Sequence, residues 1–251
     1  MGVEVSAVGH PDTWHYWFIA HRLGPAVLRS LGGFSVQGRE HIPDVGPALL
    51  CPNHTSYLDP PVVGIAVSKR RCCFMAKASL FDIPILGRLI RSWGAYPVDR
   101  EEGGRKALRL ATALLEAGEL VILFPEGTRS PDGELLPGEP GAAFIATRLG
   151  VPIIPVALWG TDTVLPRGAH RIYRCPTFVR FGEPIWPPNA AEGGRASRHE
   201  IEALTDELMS RIAALRAQIL AQVPEKWKRK AERIRARTLH KQGVSANAQG
   251  N

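Results

Sequence analysis

From residue 38 onward the chain alternates between short runs of contiguous apolar residues and longer stretches whose apolar residues recur every three or four positions. A short apolar run bounded by turn residues reads as a strand buried on both faces, and the three-to-four recurrence reads as a helix with one face on a core. Strands are expected at 48–51, 71–76, 95–98, 120–124, 152–158 and 177–181, and helices at 59–67, 85–93, 104–117 and 142–149. The punctuation agrees. Asp59 before Pro60 and Pro61 reads as an N-cap with proline in the first turn, and Gly118 and Gly150 stop the helices they follow. Ser197 and Glu200 form a capping box, after which Ile201, Leu204, Leu208, Ile212, Leu215 and Ile219 line one face of a long helix that Pro224 breaks. Strands alternating with helices predict one α/β domain, with a mixed, mostly parallel sheet covered by helices on both faces.

Before residue 38 the pattern differs. Between residues 13 and 33, aromatic and aliphatic residues such as Trp14, Trp17, Phe18, Leu23 and Val27 interleave with His15, His21, Arg22 and Arg29 at helical spacing. A helix of this kind either lies in a bilayer interface or packs one face on the core. Arg22 and Arg29 interrupt the most apolar region, so an uninterrupted 18-residue span is absent. The expected plan is an amphipathic membrane-association segment over 1–34, the α/β domain over 35–223 and a basic tail over 224–251 whose end, from Gly243, is disordered.

The chain has 251 residues, 45% of them hydrophobic. A chain of this size buries roughly 70–75% of the surface its unfolded form exposes, so the core needs neither disulfide nor metal, and fibrous or wholly disordered readings are excluded. The formal charge is +7, and eight basic residues against two acidic ones from Pro224 onward place +6 of it in the tail. Such a tail sits on anionic lipid, binds nucleic acid or is a solvated surface helix. Cys51, Cys72, Cys73 and Cys175 form no CxxC pair, which fits reduced thiols in a cytosolic setting. The opening Met1-Gly2 to Ser6 matches the short myristoylation pattern, but 24 arginines against seven lysines hint at a GC-rich bacterial genome, where that modification has no enzyme.

Two segments carry candidate chemistry, each at the exit of an apolar strand, where open α/β sheets place their sites. The first runs from Asn53 to Asp59. His54 takes a proton near neutrality, and Asp59, five residues on, reaches its other ring nitrogen, an arrangement that fixes the tautomer and stabilises the imidazolium as it forms. The plain alternative is a loop histidine beside a helix cap. The second runs from Phe124 to Ser130, where Gly127 permits close backbone approach and Arg129 offers a planar fork for phosphate or carboxylate, or else decorates a surface turn. Lys77 and Arg100 follow two other strands. A metal at His54 and Asp59 lacks a third His or Cys ligand nearby, and Cys51 and Cys72 read as small core residues rather than nucleophiles.

His-x4-Asp followed by Phe124-Pro125-Glu126-Gly127-Thr128-Arg129-Ser130 and Val151-Pro152-Ile153-Ile154-Pro155-Val156, in this order, resembles the 1-acylglycerol-3-phosphate acyltransferase (PlsC-like) family over about residues 35–215. The resemblance implies that His54 is the general base for an acceptor hydroxyl, that Asp59 orients it, and that the alkoxide attacks an acyl-CoA or acyl-carrier-protein thioester with no acyl-enzyme intermediate, cofactor or metal. It further implies that Arg100 and Arg129, joined by Lys77, clamp the acceptor phosphate. Glu126, Gly127 and Thr128 would shape the acceptor pocket and its loop, and Val151 to Val156 would line the acyl-chain side.

The expected product is phosphatidate made from a lysophospholipid, at the cytoplasmic face of the membrane on a peripheral or monotopic protein. Another lipid acceptor with the same chemistry is the near alternative. A catalytically idle protein binding membrane or nucleic acid is the distant one, and nucleic acid is not expected because Trp227 is the tail's only aromatic residue.

Overall fold

Contiguous apolar runs leave a strand no polar face to show to water, so each must be covered on both sides. A computed structural model describes residues 17–98, 104–169, 171–188 and 197–248. Its strands are β1 (Phe34–Gln37), β2 (Ala48–Pro52), β3 (Cys72–Lys77), β4 (Ala95–Val98), β5 (Leu120–Ile122), β6 (Ile153–Trp159) and β7 (Thr177–Phe181). Its helices are α1 (Gly24–Ser30), α2 (Asp59–Val67), α3 (Pro84–Ser92), α4 (Gly104–Glu116), α5 (Gly141–Leu149), α6 (Thr161–Val164), α7 (Arg198–Gln222) and α8 (Glu225–Ala248).

The strands form one sheet in the order β1-β7-β6-β2-β5-β3-β4. Strands β2 to β6 run parallel to one another; β7 is antiparallel to β6 and parallel to β1. The period of two then sorts side chains by face. Leu50, Phe74, Ile122 and Ile154 meet α1 and α2. Leu49, Cys51, Cys73, Val121 and Ile153 meet α4, α5 and α7. The run 151–156, expected beside an acyl chain, is largely core: Ile153, Ile154 and Val156 are fully buried, split between the two faces.

The crossovers create the site's position. The chain leaving β2 passes through α2 on the first face to reach β3, and the chain leaving β5 passes through α5 on the second face to reach β6. Since β2 and β5 are neighbours, their exits diverge to opposite faces and leave a crevice at their carboxyl ends. Asn53 holds the next gap along: its buried amide accepts from Leu158 N at 2.7 Å and donates to Leu158 O at 3.3 Å, tying the end of β2 to β6 after their ladder stops.

Both ends of the described chain join this body. A π-helical turn (Ile19–Leu23) runs into α1 and buries Ala20 and Leu28, while Phe18, Leu23 and Val27 face outward. Strand β1 was not anticipated. Its four half-buried residues, two apolar alternating with two polar at a sheet edge, leave no apolar run to detect.

The capping box at Ser197 and Glu200 forms, and Pro224 separates α7 from α8. Helix α8 buries Ala231 and Ile234, and Arg235 ion-pairs with Asp162 of α6 at 2.5 Å. Helix α8 runs from Glu225 to Ala248. Among the described residues no helix is long and apolar enough to cross a membrane.

Asn53→Ala should lower the unfolding free energy by about 2–3 kcal/mol in urea titration, because it strands a buried N–H and a buried carbonyl of Leu158. A loss below about 0.5 kcal/mol would show that the amide does not hold the strands together.

Candidate active site

Strands β2 to β6 end at one edge of the sheet, and the sequence-predicted residues collect there. Asp59 opens α2 but is not its N-cap. That position is Leu58, which makes no side-chain cap bond. A cap accepts from the second or third N–H of the helix, and here those positions are Pro60 and Pro61, which have none. The Asp59 carboxylate turns back into the preceding loop instead. Its Oδ2 accepts from Thr55 N at 2.6 Å and Ser56 N at 2.7 Å, and lies 2.9 Å from His54 Nδ1. Oδ1 is buried with no hydrogen-bond partner. A carboxylate only accepts, so this contact calls for a proton on Nδ1, which in the neutral ring leaves the lone pair on Nε2.

The loop after β5 fixes the other surroundings of His54. The Phe124 ring stacks on the imidazole, centroids 3.8 Å apart and 23° from parallel. Both peptide groups of His54 are engaged: its N–H donates to Glu126 Oε1 at 2.7 Å, and its carbonyl accepts from Ser130 N at 2.8 Å. The second oxygen of Glu126 accepts from Leu136 N at 3.0 Å. Glu126 thus ties three backbone segments together at 4% exposure, and that burial pushes its carboxyl above the usual range against the two N–H bonds that favour the charge. On the far side, Thr55 Oγ1 meets Thr161 Oγ1 at 3.3 Å, and Ser56 Oγ donates to Leu165 O at 2.9 Å. The His54 side chain keeps 16% of its surface open and Asp59 none.

The cationic candidates stand around this opening. The Arg129 guanidinium lies over the Tyr57 ring, 3.6 Å from its centroid, on a tyrosine that is 55% exposed. Gly127 adopts φ 64°, the left-handed turn that delivers Thr128 and Arg129, and Gly127 and Thr128 are themselves exposed. Lys77 is exposed at the carboxyl end of β3. Because β5 lies between β2 and β3, Lys77 stands roughly 10 Å across the edge from the His54 loop. Arg100 lies outside the described residues. No role was assigned from sequence to Asn53, Tyr57 or Phe124; all three stand inside the two segments already singled out, but their contacts are made with chain about 70 to 105 residues away.

The arrangement is a buried carboxylate, an imidazole with one free nitrogen, and a rim carrying fixed cations. An acyltransferase family model matches residues 33–159, which include every element just described from β1 to the end of β6. A 1-acyl-sn-glycerol-3-phosphate acyltransferase of Bacillus subtilis is 30% identical over 80% of the chain and 96% of its own length. A chloroplastic protein of that name from Brassica napus is 34% identical over 55% of the chain, which spans 40% of the plant protein. The crystal structure of the 1-acyl-sn-glycerophosphate acyltransferase PlsC of Thermotoga maritima superposes with a TM-score of 0.66 at 31% identity, covering 80% of each chain. The chain belongs to the PlsC-like acyltransferase family.

All four cysteines are buried and free. Burial pushes their thiols up, those of Cys73 and Cys175 to about 12. Ellman's reagent should therefore find almost no reactive thiol in the folded protein at mildly alkaline pH and all four after unfolding. Rapid labelling of the native chain would contradict this packing.

Proposed function

We propose that the protein transfers a fatty acyl chain from an acyl thioester, carried on coenzyme A or an acyl-carrier protein, to the sn-2 hydroxyl of 1-acylglycerol-3-phosphate, forming phosphatidate. The carrying observation is the His54 Nδ1 to Asp59 Oδ2 contact of 2.9 Å at the mouth of the sheet. The relatives' names and the near-complete coverage of the Bacillus protein support the acceptor.

In this reading His54 Nε2 removes the hydroxyl proton as the oxygen attacks the thioester carbonyl. The Asp59 carboxylate stabilises the imidazolium that forms. Collapse of the tetrahedral intermediate breaks the C–S bond, and the imidazolium returns the proton to the departing thiolate. The step balances without an acyl-enzyme or a cofactor. Stacking on Phe124 and the two backbone hydrogen bonds to Glu126 and Ser130 hold the ring in place, so little orientation is lost on reaction.

Arg129, set over Tyr57, and Lys77 across the edge hold the phosphate, with Arg100 as a third cation. Glu126, Gly127 and Thr128 give the acceptor loop its shape. The segment 1–34 seats the protein peripherally on the cytoplasmic face of the membrane, in keeping with the outward Phe18, Leu23 and Val27. Residues 35–223 form the catalytic domain, and 224–251 an appended basic segment.

With labelled oleoyl-CoA and lysophosphatidate in detergent micelles, His54→Ala should lower kcat/KM by about 10³-fold or more and Asp59→Asn by about 10²-fold, both folded by circular dichroism. Arg129→Ala should raise KM for lysophosphatidate far more than for an uncharged monoacylglycerol acceptor. Folded His54→Ala enzyme with near wild-type rates would end the assignment. Wild type silent on lysophosphatidate yet showing His54-dependent labelling of a lipid extract would move the acceptor.

A further inference from the structure

The edge of the sheet that carries His54 also carries most of the outward positive charge at the end of the chain. Helix α8 crosses this edge. Its inner stripe, Trp227, Ala231 and Ile234, packs against the body, and Arg235 pins it to Asp162, three residues past the end of β6. With that stripe facing in, Lys226, Arg229, Arg233 and Arg237 are left exposed at spacings of three and four, which gives one outward face.

A second element completes the rim. The connection 165–176, between β6 and β7, contains no Asp or Glu, exposes Arg171 and Arg174, and carries Ile172 at 58% exposure between them. It is fastened to the site itself: Tyr173 N donates to Val164 O at 2.9 Å, and Leu165 O accepts from Ser56 Oγ at 2.9 Å, two residues from His54.

We propose that the outer face of α8 and the described residues of the 165–176 connection form one docking surface for an anionic lipid bilayer, seated at the mouth of the site. Charge complementarity selects an anionic surface. The exposed Ile172 between two arginines suits an acyl boundary and has no use against a phosphate backbone. Nucleic acid fits less well, because Trp227, the only aromatic side chain on α8, is half-buried with Lys226 and Lys230 5.7 and 5.1 Å from its ring centroid, leaving no open stacking platform. The surface differs from the amphipathic start of the chain, since it recognises headgroup charge and not hydrocarbon alone. That the bound bilayer delivers acceptor to His54 rests on the phosphatidate-forming reading; the binding itself does not.

The test is flotation of the full chain with phosphatidylcholine vesicles, with and without a third of phosphatidylglycerol. The variants are Arg229→Gln/Arg233→Gln/Arg237→Gln on α8 and Arg171→Gln/Arg174→Gln on the connection. Each basic residue near the surface is expected to contribute about fivefold, so the triple variant should bind anionic vesicles about a hundredfold more weakly and the double about thirtyfold, both with unchanged binding to neutral vesicles. Wild-type binding to anionic vesicles should also fall steeply with salt, a readout that needs no variant to fold. Triple-variant binding within about twofold of wild type would overturn the proposal. So would equal wild-type affinity for neutral and anionic vesicles, or preference for single-stranded RNA over anionic vesicles. Acyl transfer is assayed separately on a dispersed short-chain acceptor, so wild-type inactivity there would refute the reaction and leave the binding result standing.

Discussion

One oxygen atom sets the geometry of the whole edge. Asp59 Oδ2 gathers the imidazole Nδ1 of His54 and the N–H groups of Thr55 and Ser56, so the six-residue connection from β2 is folded onto the first residue of α2. The negative charge also sits at the positive end of that helix, where it is favoured. Leaving Oδ1 buried and unpartnered costs free energy in any ordinary loop. In the proposed reaction that charge stays undiluted beside the ring that gains and loses the proton, so the cost and the chemistry have a single origin.

Around this turn, the fold surrounds His54 with groups that cannot move independently. Its two peptide groups belong to the β5 exit through Glu126 and Ser130, while Thr55 and Ser56 belong to the β6 exit through Thr161 and Leu165. Asn53 closes the remaining gap on Leu158. Three strand ends therefore position one imidazole, and the divergence of β2 and β5 keeps the space in front of it open. The same network ties the rim to the base: the connection carrying Arg171 and Arg174 begins at a carbonyl held by Ser56, and the ion pair of Arg235 with Asp162 lands on the residue after Thr161. The proposed docking rim and the proposed base are held by one set of bonds.

Much of this was legible in the chain itself, for a physical reason. Buried parallel strands write themselves as apolar runs, and helix ends carry local chemistry, so five of the seven strands, the glycine stops at Gly118 and Gly150 and the Ser197 capping box all stood in the sequence near where they fold. A sixth, Ala95–Val98, was found from little more than its flanking turns. What failed was non-local or weakly patterned. Strand β1 is an edge strand without a fully buried residue. Asp59 reads as a cap until the two prolines after it are seen to offer nothing to cap. Phe124 on His54 and Asn53 on Leu158 join residues that no spacing rule relates. Val151 to Val156 drew attention as a substrate-lining run, yet the pattern only records burial within the sheet.

The central claim is that Asp59 fixes His54 with its proton on Nδ1 and its lone pair on Nε2. Nitrogen-15 NMR of histidine-labelled protein, with His54→Gln to assign the signal and the pH raised until the ring is neutral, reads this tautomer directly. The account predicts a protonated Nδ1 and an unprotonated Nε2 for His54, and a shift toward a tautomer mixture in Asp59→Asn. A neutral His54 protonated at Nε2 in the wild-type protein would contradict it.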